Sequence, residues 1–331
     1  MKKLLLLTAL IFSAILFFIF LEPTRDIKAK SGNQDIVYVG KIADAAHVTV
    51  GNAIWTGKDI ILTDVFTIRN ENMSMKFLKF DPQQNSTEKI LELDGLGDRK
   101  AAVWTGKEIL IFGGIVTDSA GRYLPTDLIV SFNPETYELK VLNVTLPYPA
   151  ADISAVWTGE YAYLFMKSRN SDTPEVWRFD PKNSLMEKLN VDYPEGFDNP
   201  GFTVHSAVWF DGSIFLFYKD RIARFNPSEG SFVWLETKLP TKQPDAWTRA
   251  AVATDDGIYV IGGSNGFTNF TDEIIRFDPE TGDANVMKSR LPTPRGGAVA
   301  VWDGRYVYVV GGWSSRMYLN EILRFDYRKS G

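Results

Sequence analysis

The chain has 331 residues, 45% of them hydrophobic, and a formal net charge of −5. That length is enough for a large core, and an acidic balance without a basic stripe gives no electrostatic footprint for nucleic acid. With no cysteine and two histidines, disulfides, thiolate metal sites and cysteine nucleophiles are excluded, and neither a metal nor a cofactor is expected.

Residues 1–34 stand apart from the rest. Lys2 and Lys3 precede an uncharged apolar run over residues 4–21, after which Glu22-Pro23-Thr24-Arg25-Asp26 turns polar. A helix of that length rises about 27 Å, close to a hydrocarbon core of roughly 30 Å. The run is long for a signal-peptide core, and no small-x-small cleavage site follows it closely. The expectation is an N-terminal transmembrane signal-anchor with a short linker, or alternatively a cleaved signal peptide. The lysines favour a cytoplasmic N-terminus. Residues 35–331 would then be extracytoplasmic, anchored to the cell membrane by that helix or secreted after cleavage.

From residue 35 onward the chain repeats itself. Phe80-Asp81-Pro82, Phe132-Asn133-Pro134, Phe179-Asp180-Pro181, Phe225-Asn226-Pro227, Phe277-Asp278-Pro279 and the variant Phe325-Asp326-Tyr327 recur every 46–52 residues. Ahead of each copy stands a turn ending in glycine, as in Trp55-Thr56-Gly57, Trp104-Thr105-Gly106, Trp157-Thr158-Gly159 and Trp302-Asp303-Gly304. A period of this size means stacked copies of one supersecondary unit. In the second copy a short apolar strand ends at Trp104, and a tight turn leads to an apolar strand ending at Phe112. A long loop follows, then a strand ending at Phe132, a type I turn and a fourth strand. Four antiparallel strands of this kind cannot bury both faces alone, so the copies must pack face to face around an axis.

These residues resemble the kelch-repeat β-propellers. The family's diglycine after the second strand stands here as Gly113-Gly114, Gly262-Gly263 and Gly311-Gly312, and its third-strand aromatic as the six phenylalanines. Three copies lack the diglycine. The resemblance implies an all-β, six-bladed propeller of four-stranded antiparallel blades over residues 35–331. The sixth copy has no fourth strand of its own, and Asp35-Ile36-Val37-Tyr38-Val39-Gly40 is a spare one. That N-terminal strand is expected to close the last blade and remove an open sheet edge. A fourth strand runs from the tight-turn face toward the long-loop face, so the anchor is expected to enter from the tight-turn side.

Two sets of residues are candidates for function. Ahead of the inner strands stand His47, Arg99, Asp152, His205, Arg249 and Arg295. Converging on the channel, they would form a positive funnel suited to a carboxylate or phosphate. The alternative is that they hydrogen-bond backbone near the channel. The long loops carry Arg69, Arg122, Tyr123, Phe267, Phe270, Trp313, Arg316 and Tyr318, which could stack on sugars or anchor a protein partner, or fold inward over the rim. Gly-x-Ser-x-Gly, P-loop and His-Glu-x-x-His patterns are missing. The resemblance therefore implies a protein- or glycan-binding module acting through its loop face. The alternative is a sugar-converting enzyme similar to the exported N-acetylneuraminate epimerases, with an anionic sugar in the funnel.

Overall fold

The computed structural model describes residues 22–25, 35–43, 48–69, 72–94, 98–118, 121–167, 174–195, 207–266, 268–315 and 317–330, with backbone alone for 22–25, 67–69, 72–74 and 94. Among these residues the regular structure is β, apart from a 3-10 turn at Tyr327–Lys329.

Six four-stranded antiparallel sheets form the blades. Blade 1 is Val48–Trp55, Ile60–Arg69, Asn72–Asp81 and Ser86–Asp94. Blade 2 is Ala101–Trp104, Ile109–Phe112, Tyr123–Phe132 and Leu139–Ala150. Ser154–Trp157, Ala162–Lys167, Pro174–Asp180 and Leu185–Lys188 make blade 3. Blade 4 follows as Ala207–Phe210, Ser213–Tyr218, Arg221–Asn226 and Ser231–Lys238. Blade 5 comprises Ala250–Thr254, Gly257–Ile261, Glu273–Phe277 and Ala284–Arg290. Blade 6 takes Val299–Trp302, Val307–Val310 and Ile322–Phe325 from the C-terminal end and Ile36–Gly40 from the N-terminal side. The closing strand pairs antiparallel with the third strand, Ile36 opposite Phe325 and Val37 opposite Arg324. The first strands line the axis, each packed on the next, and blade 6 returns to blade 1.

The core is divided among the blade interfaces. Six apolar clusters are buried, each filled from two adjacent blades. This accounts for second strands apolar at every position, such as Ile109–Phe112 and Val307–Val310, which are buried throughout. Each has a neighbour blade on both sides.

The recurring phenylalanine pins these interfaces. Phe80, Phe132, Phe179, Phe225, Phe277 and Phe325 are all 0% exposed. Each meets an aromatic ring of the preceding blade, the pairs being Tyr308–Phe80, Phe77–Phe132, Phe112–Phe179, Tyr163–Phe225, Phe215–Phe277 and Tyr259–Phe325, at centroid distances of 4.8–6.0 Å. Most are edge-to-face, the arrangement that the ring quadrupole favours. In blades 1 to 5 the Asp or Asn that follows builds the turn. Asp81 Oδ1 accepts the Gln83 amide at 2.7 Å, Asn133 Oδ1 that of Glu135 at 2.8 Å, and Asp180 Oδ1 that of Lys182 at 2.9 Å. This Asx geometry explains why only those two residue types fill the position.

The N-terminal membrane helix expected from the sequence is corrected here. Among the described residues no helix is long and apolar enough to cross a membrane. The apolar run at residues 4–21 lies outside the described residues, and Glu22–Arg25, expected as linker, is a β-strand. That strand pairs in parallel with Met317–Leu319, in the loop between the second and third strands of blade 6. The chain therefore passes over the long-loop face at residues 22–25 before it enters blade 6 from the tight-turn side at residue 36. The expected orientation, with residues 22–34 confined to the tight-turn side, is corrected by that pairing.

Candidate functional site on the long-loop face

The first strands leave a central channel lined in its middle by Asn52, Ala53, Ala102, Ala207, Ala251, Val299 and Ala300. Small side chains keep it open, and among the described residues no ionisable group belongs to that lining. Asn52 faces the neighbouring blade. Its amide donates to Lys100 O and Thr63 Oγ1, both at 3.2 Å, and its carbonyl accepts from Ala102 N at 3.2 Å, joining blade 1 to blade 2.

The residues ahead of the first strands divide into two groups. Arg249 and Arg295 are 2% and 0% exposed and reach back into their own blades. Arg249 Nη1 donates to Gly262 O at 2.8 Å, and Nη2 donates to Thr241 Oγ1 at 3.0 Å and Gln243 O at 2.8 Å. Arg295 Nη1 donates to Gly311 O at 3.1 Å, Nε to Thr293 O at 3.2 Å, and Nη2 to Glu321. Both guanidinium groups thus hold the carbonyl of the first glycine in a diglycine pair. The glycines admit them: a Cβ on Gly263 would lie 2.7 Å from Arg249 Cγ. Loss of hydration lowers both pKa values, that of Arg249 to about 10, so Arg249 stays charged at neutral pH.

Arg99 and Asp152 lie at the rim instead, with side chains 54% and 57% exposed. They pair with each other at 3.3 Å, and the Asp152 amide donates to Arg99 O at 3.3 Å. Counted back from the last residue of the first strand, Arg99, Asp152, Arg249 and Gly297 share one position. Arg99, Asp152 and Gly297 have φ of 64°, 58° and 61° there. Arg295 stands two residues earlier. His47 and His205 lie outside the described residues. The expected ring of free arginine forks is therefore not assembled: two are buried struts and the third is bound to an aspartate.

The long-loop residues are equally mixed. In blade 2, Tyr123–Pro125 folds back on Ile115–Thr117 as a hairpin. Arg122 Nε donates to Asp118 Oδ2 at 2.7 Å at its tip, and Tyr123 and Leu124 are 52% and 43% exposed. Tyr318 is 2% exposed. Trp313 is half-buried over Gly297, its backbone bonded both ways to Gly296 at 2.9 and 3.0 Å. Phe270 is half-buried in the short hairpin of blade 5. Arg69 ends a blade 1 strand, described as backbone only, and Phe267 and Arg316 lie outside the described residues. Sequence reasoning missed Leu124 and Trp247, the latter 40% exposed on the same face. A tryptophan two residues ahead of Arg249 was the signal, since the strand alternation that buries apolar groups has not begun there.

Comparison with known proteins agrees with this architecture. The kelch motif matches residues 248–283 and 294–330. A kelch domain-containing protein of Archaeoglobus fulgidus is 42% identical over 293 residues, covering 88% of this chain and 85% of the relative. Another, from Pyrococcus furiosus, is 37% identical over 212 residues, covering 64% of this chain and 63% of that relative. Both names state a kelch domain. With no membrane-crossing helix among the described residues, the expected extracytoplasmic, membrane-anchored location is corrected as well.

Proposed function

This chain belongs to the kelch-domain family, and from that premise we propose that it is a protein-binding module whose contact surface is the long-loop face. The observation that carries the reading is the placement of Tyr123, Leu124 and Trp247, exposed by 52%, 43% and 40% on that one face. Large apolar side chains at a rim, with charged neighbours such as Arg122 and Asp118, are the usual anchors of a protein interface. The epimerase-like reading, with an anionic sugar in the funnel, drew on free arginine forks. The guanidinium groups of Arg249 and Arg295 are committed inside the blades, which counts against that reading.

The test is affinity capture with the full chain, followed by titration of the purified captured protein. Tyr123→Ala with Leu124→Ala, and separately Trp247→Ala, should each weaken binding by roughly 10–100-fold, the range for hot-spot truncations. Unchanged affinity in both variants would remove the long-loop face as the interface.

A further inference from the structure

The residue before each recurring phenylalanine is Lys79, Ser131, Arg178, Arg224, Arg276 or Arg324. In blades 1, 3 and 5 that cation is paired with carboxylates. Lys79 meets Glu88 at 2.9 Å, Arg178 meets Glu187 at 2.5 Å, and Arg276 meets Asp278 and Asp256 at 3.4 and 3.6 Å. Blade 3 shows the fullest arrangement. Glu187 stands directly opposite Arg178 on the fourth strand. The Arg178 guanidinium lies 4.6 Å from the centre of the Tyr161 ring. Glu160, in the tight turn, accepts the Tyr161 hydroxyl and so raises its pKa. One arginine is thus set against one ring and two carboxylates.

Blade 6 keeps the arginine and the ring and loses both carboxylates. Trp302 pairs with Val307 as Trp157 pairs with Ala162, so Arg305 takes the position of Glu160 and Tyr306 that of Tyr161. Val37 stands opposite Arg324 where Glu187 stands opposite Arg178, and opposite residues share one face of a sheet. The guanidinium groups of Arg324 and Arg305 lie 4.7 and 4.8 Å from the centre of the Tyr306 ring. Among the described residues neither makes an ion pair or a side-chain hydrogen bond. Asp303, in the same turn, is already engaged, since its Oδ1 accepts the Arg305 and Tyr306 amides at 2.7 and 2.6 Å. Arg305 is exposed, Tyr306 and Arg324 are half-buried, and Val37 is 39% exposed. Two cations held on one ring repel each other, and an arriving carboxylate relieves that repulsion while meeting two guanidinium forks.

We propose that Arg305, Tyr306 and Arg324, with Val37 beside them, form a docking site for a glutamate- or aspartate-rich segment of a partner protein. In blade 3 the carboxylates arrive on peptide, one of them on an extended strand, and the exposed Val37 offers such a segment an apolar contact that a free inorganic anion cannot use. The site lies at the tight-turn end of blade 6, so it is a second contact surface, separate from the long-loop face. Blade 4 repeats the arginine and the valine as Arg224 opposite Val233. There Ser213 stands in the position of Tyr306, so no ring gathers a second cation.

The probe is a fluorescein-labelled peptide of four Glu-Ser repeats, titrated with the full chain by fluorescence anisotropy at low ionic strength, with the Gln-Ser peptide as neutral control. The acidic peptide should bind at least about tenfold more tightly than the control, and its affinity should fall as salt rises. Arg305→Gln and Arg324→Gln should each weaken it about five- to tenfold. Val37→Glu supplies blade 6 with the carboxylate that blade 3 has. It should weaken binding by a similar factor while the chain stays folded, because that side chain is largely at the surface. Arg178→Gln removes the equivalent cation where it is already paired, and should leave the affinity unchanged. Equal binding of the two peptides overturns the proposal. So does an Arg178→Gln loss as large as that of Arg305→Gln, which would assign binding to overall charge. Free glutamate competing at the same concentration as unlabelled Glu-Ser peptide would make this a small-anion site and overturn the protein-segment assignment. A dimer of the full chain in sedimentation that is lost in Arg305→Gln would give the site to a second copy, and overturns it likewise.

Discussion

Arg295 and Glu321 form an ion pair with side chains 0% and 5% exposed, between the segment that enters blade 6 and the start of its third strand. The same guanidinium holds Gly311 O, and the Arg295 carbonyl accepts the Gly263 amide of blade 5 at 2.7 Å. One residue therefore ties two blades together.

Removing one partner leaves a buried charge without compensation. Arg295→Met should destabilise the propeller by about 3–5 kcal/mol in denaturant titration, and Glu321→Leu alone should cost a similar amount. The double variant should recover most of that loss. A double variant as unstable as the sum of the singles would assign the cost to the Gly311 contact instead.

Gly297 and Gly304 both have positive φ, 61° and 92°, but differ in surroundings. A Cβ on Gly297 would lie 1.6 Å from Trp313 Cζ3, whereas one on Gly304 meets nothing within 4 Å. Gly304→Ala should cost about 1–2 kcal/mol, the left-handed backbone term alone. Gly297→Ala adds overpacking and should cost about 2–5 kcal/mol. Equal losses on thermal or chemical unfolding would show that the Trp313 ring moves freely.

Asp64 is 2% exposed and faces Lys100, whose Nζ lies 3.3 Å from Oδ1 and whose amide lies 3.2 Å from Oδ2. Burial pushes its carboxyl up to about 6, with Asp98 adding to the rise and Lys100 opposing it. The unfolded value is about 3.9. Between those two values the folded chain holds a proton that the unfolded chain has released, so this group's contribution to stability falls as pH rises from about 4 to about 6 and is flat above. Asp64→Asn keeps the shape and removes the titration. Denaturation from pH 4 to 7 should show wild type losing stability relative to this variant across that window. A constant difference would refute the assignment.

The closing strand gives a fourth test. The Asp326 amide donates to Asp35 O at 2.8 Å. By the alternation of an antiparallel ladder, Val37 and Arg324 are the next hydrogen-bonded pair. Val37 is 39% exposed, so Val37→Pro removes little packing, yet it deletes that donor and leaves Arg324 O without it. Stability should fall by about 1–3 kcal/mol. Val37→Thr should be nearly neutral.

The repeat was legible because one physical requirement is imposed six times. Every blade interface needs a buried ring at the end of the third strand, so Phe325 keeps the pattern even where the proline is lost, although the Asp326 side chain builds no Asx turn. Closure was legible too, since Ile36 to Gly40 was a strand without a partner and the sixth copy lacked one. The rim was not. Counting from turn glycines placed Arg99, Asp152, Arg249 and Arg295 in one ring, but Arg295 stands two residues further ahead of its turn glycine than Arg99 and Asp152 stand ahead of theirs. Nor does sequence spacing reveal whether an arginine points into the channel or back to a diglycine carbonyl. That depends on the space left by Gly263, a three-dimensional fact. The short strand at residues 22–25 was hidden by its proline.

Pairing residues 36–40 with residues 322–325 also sets an order of events during synthesis. The strand that completes the last blade leaves the ribosome before any other described blade strand, and its partner strand leaves after all the others. Until then the blade 1 side of the cluster it shares with blade 6 has no opposite wall. Folding is therefore governed by a contact between the two ends of the propeller, which predicts slow final closure and a vulnerable, apolar-faced intermediate.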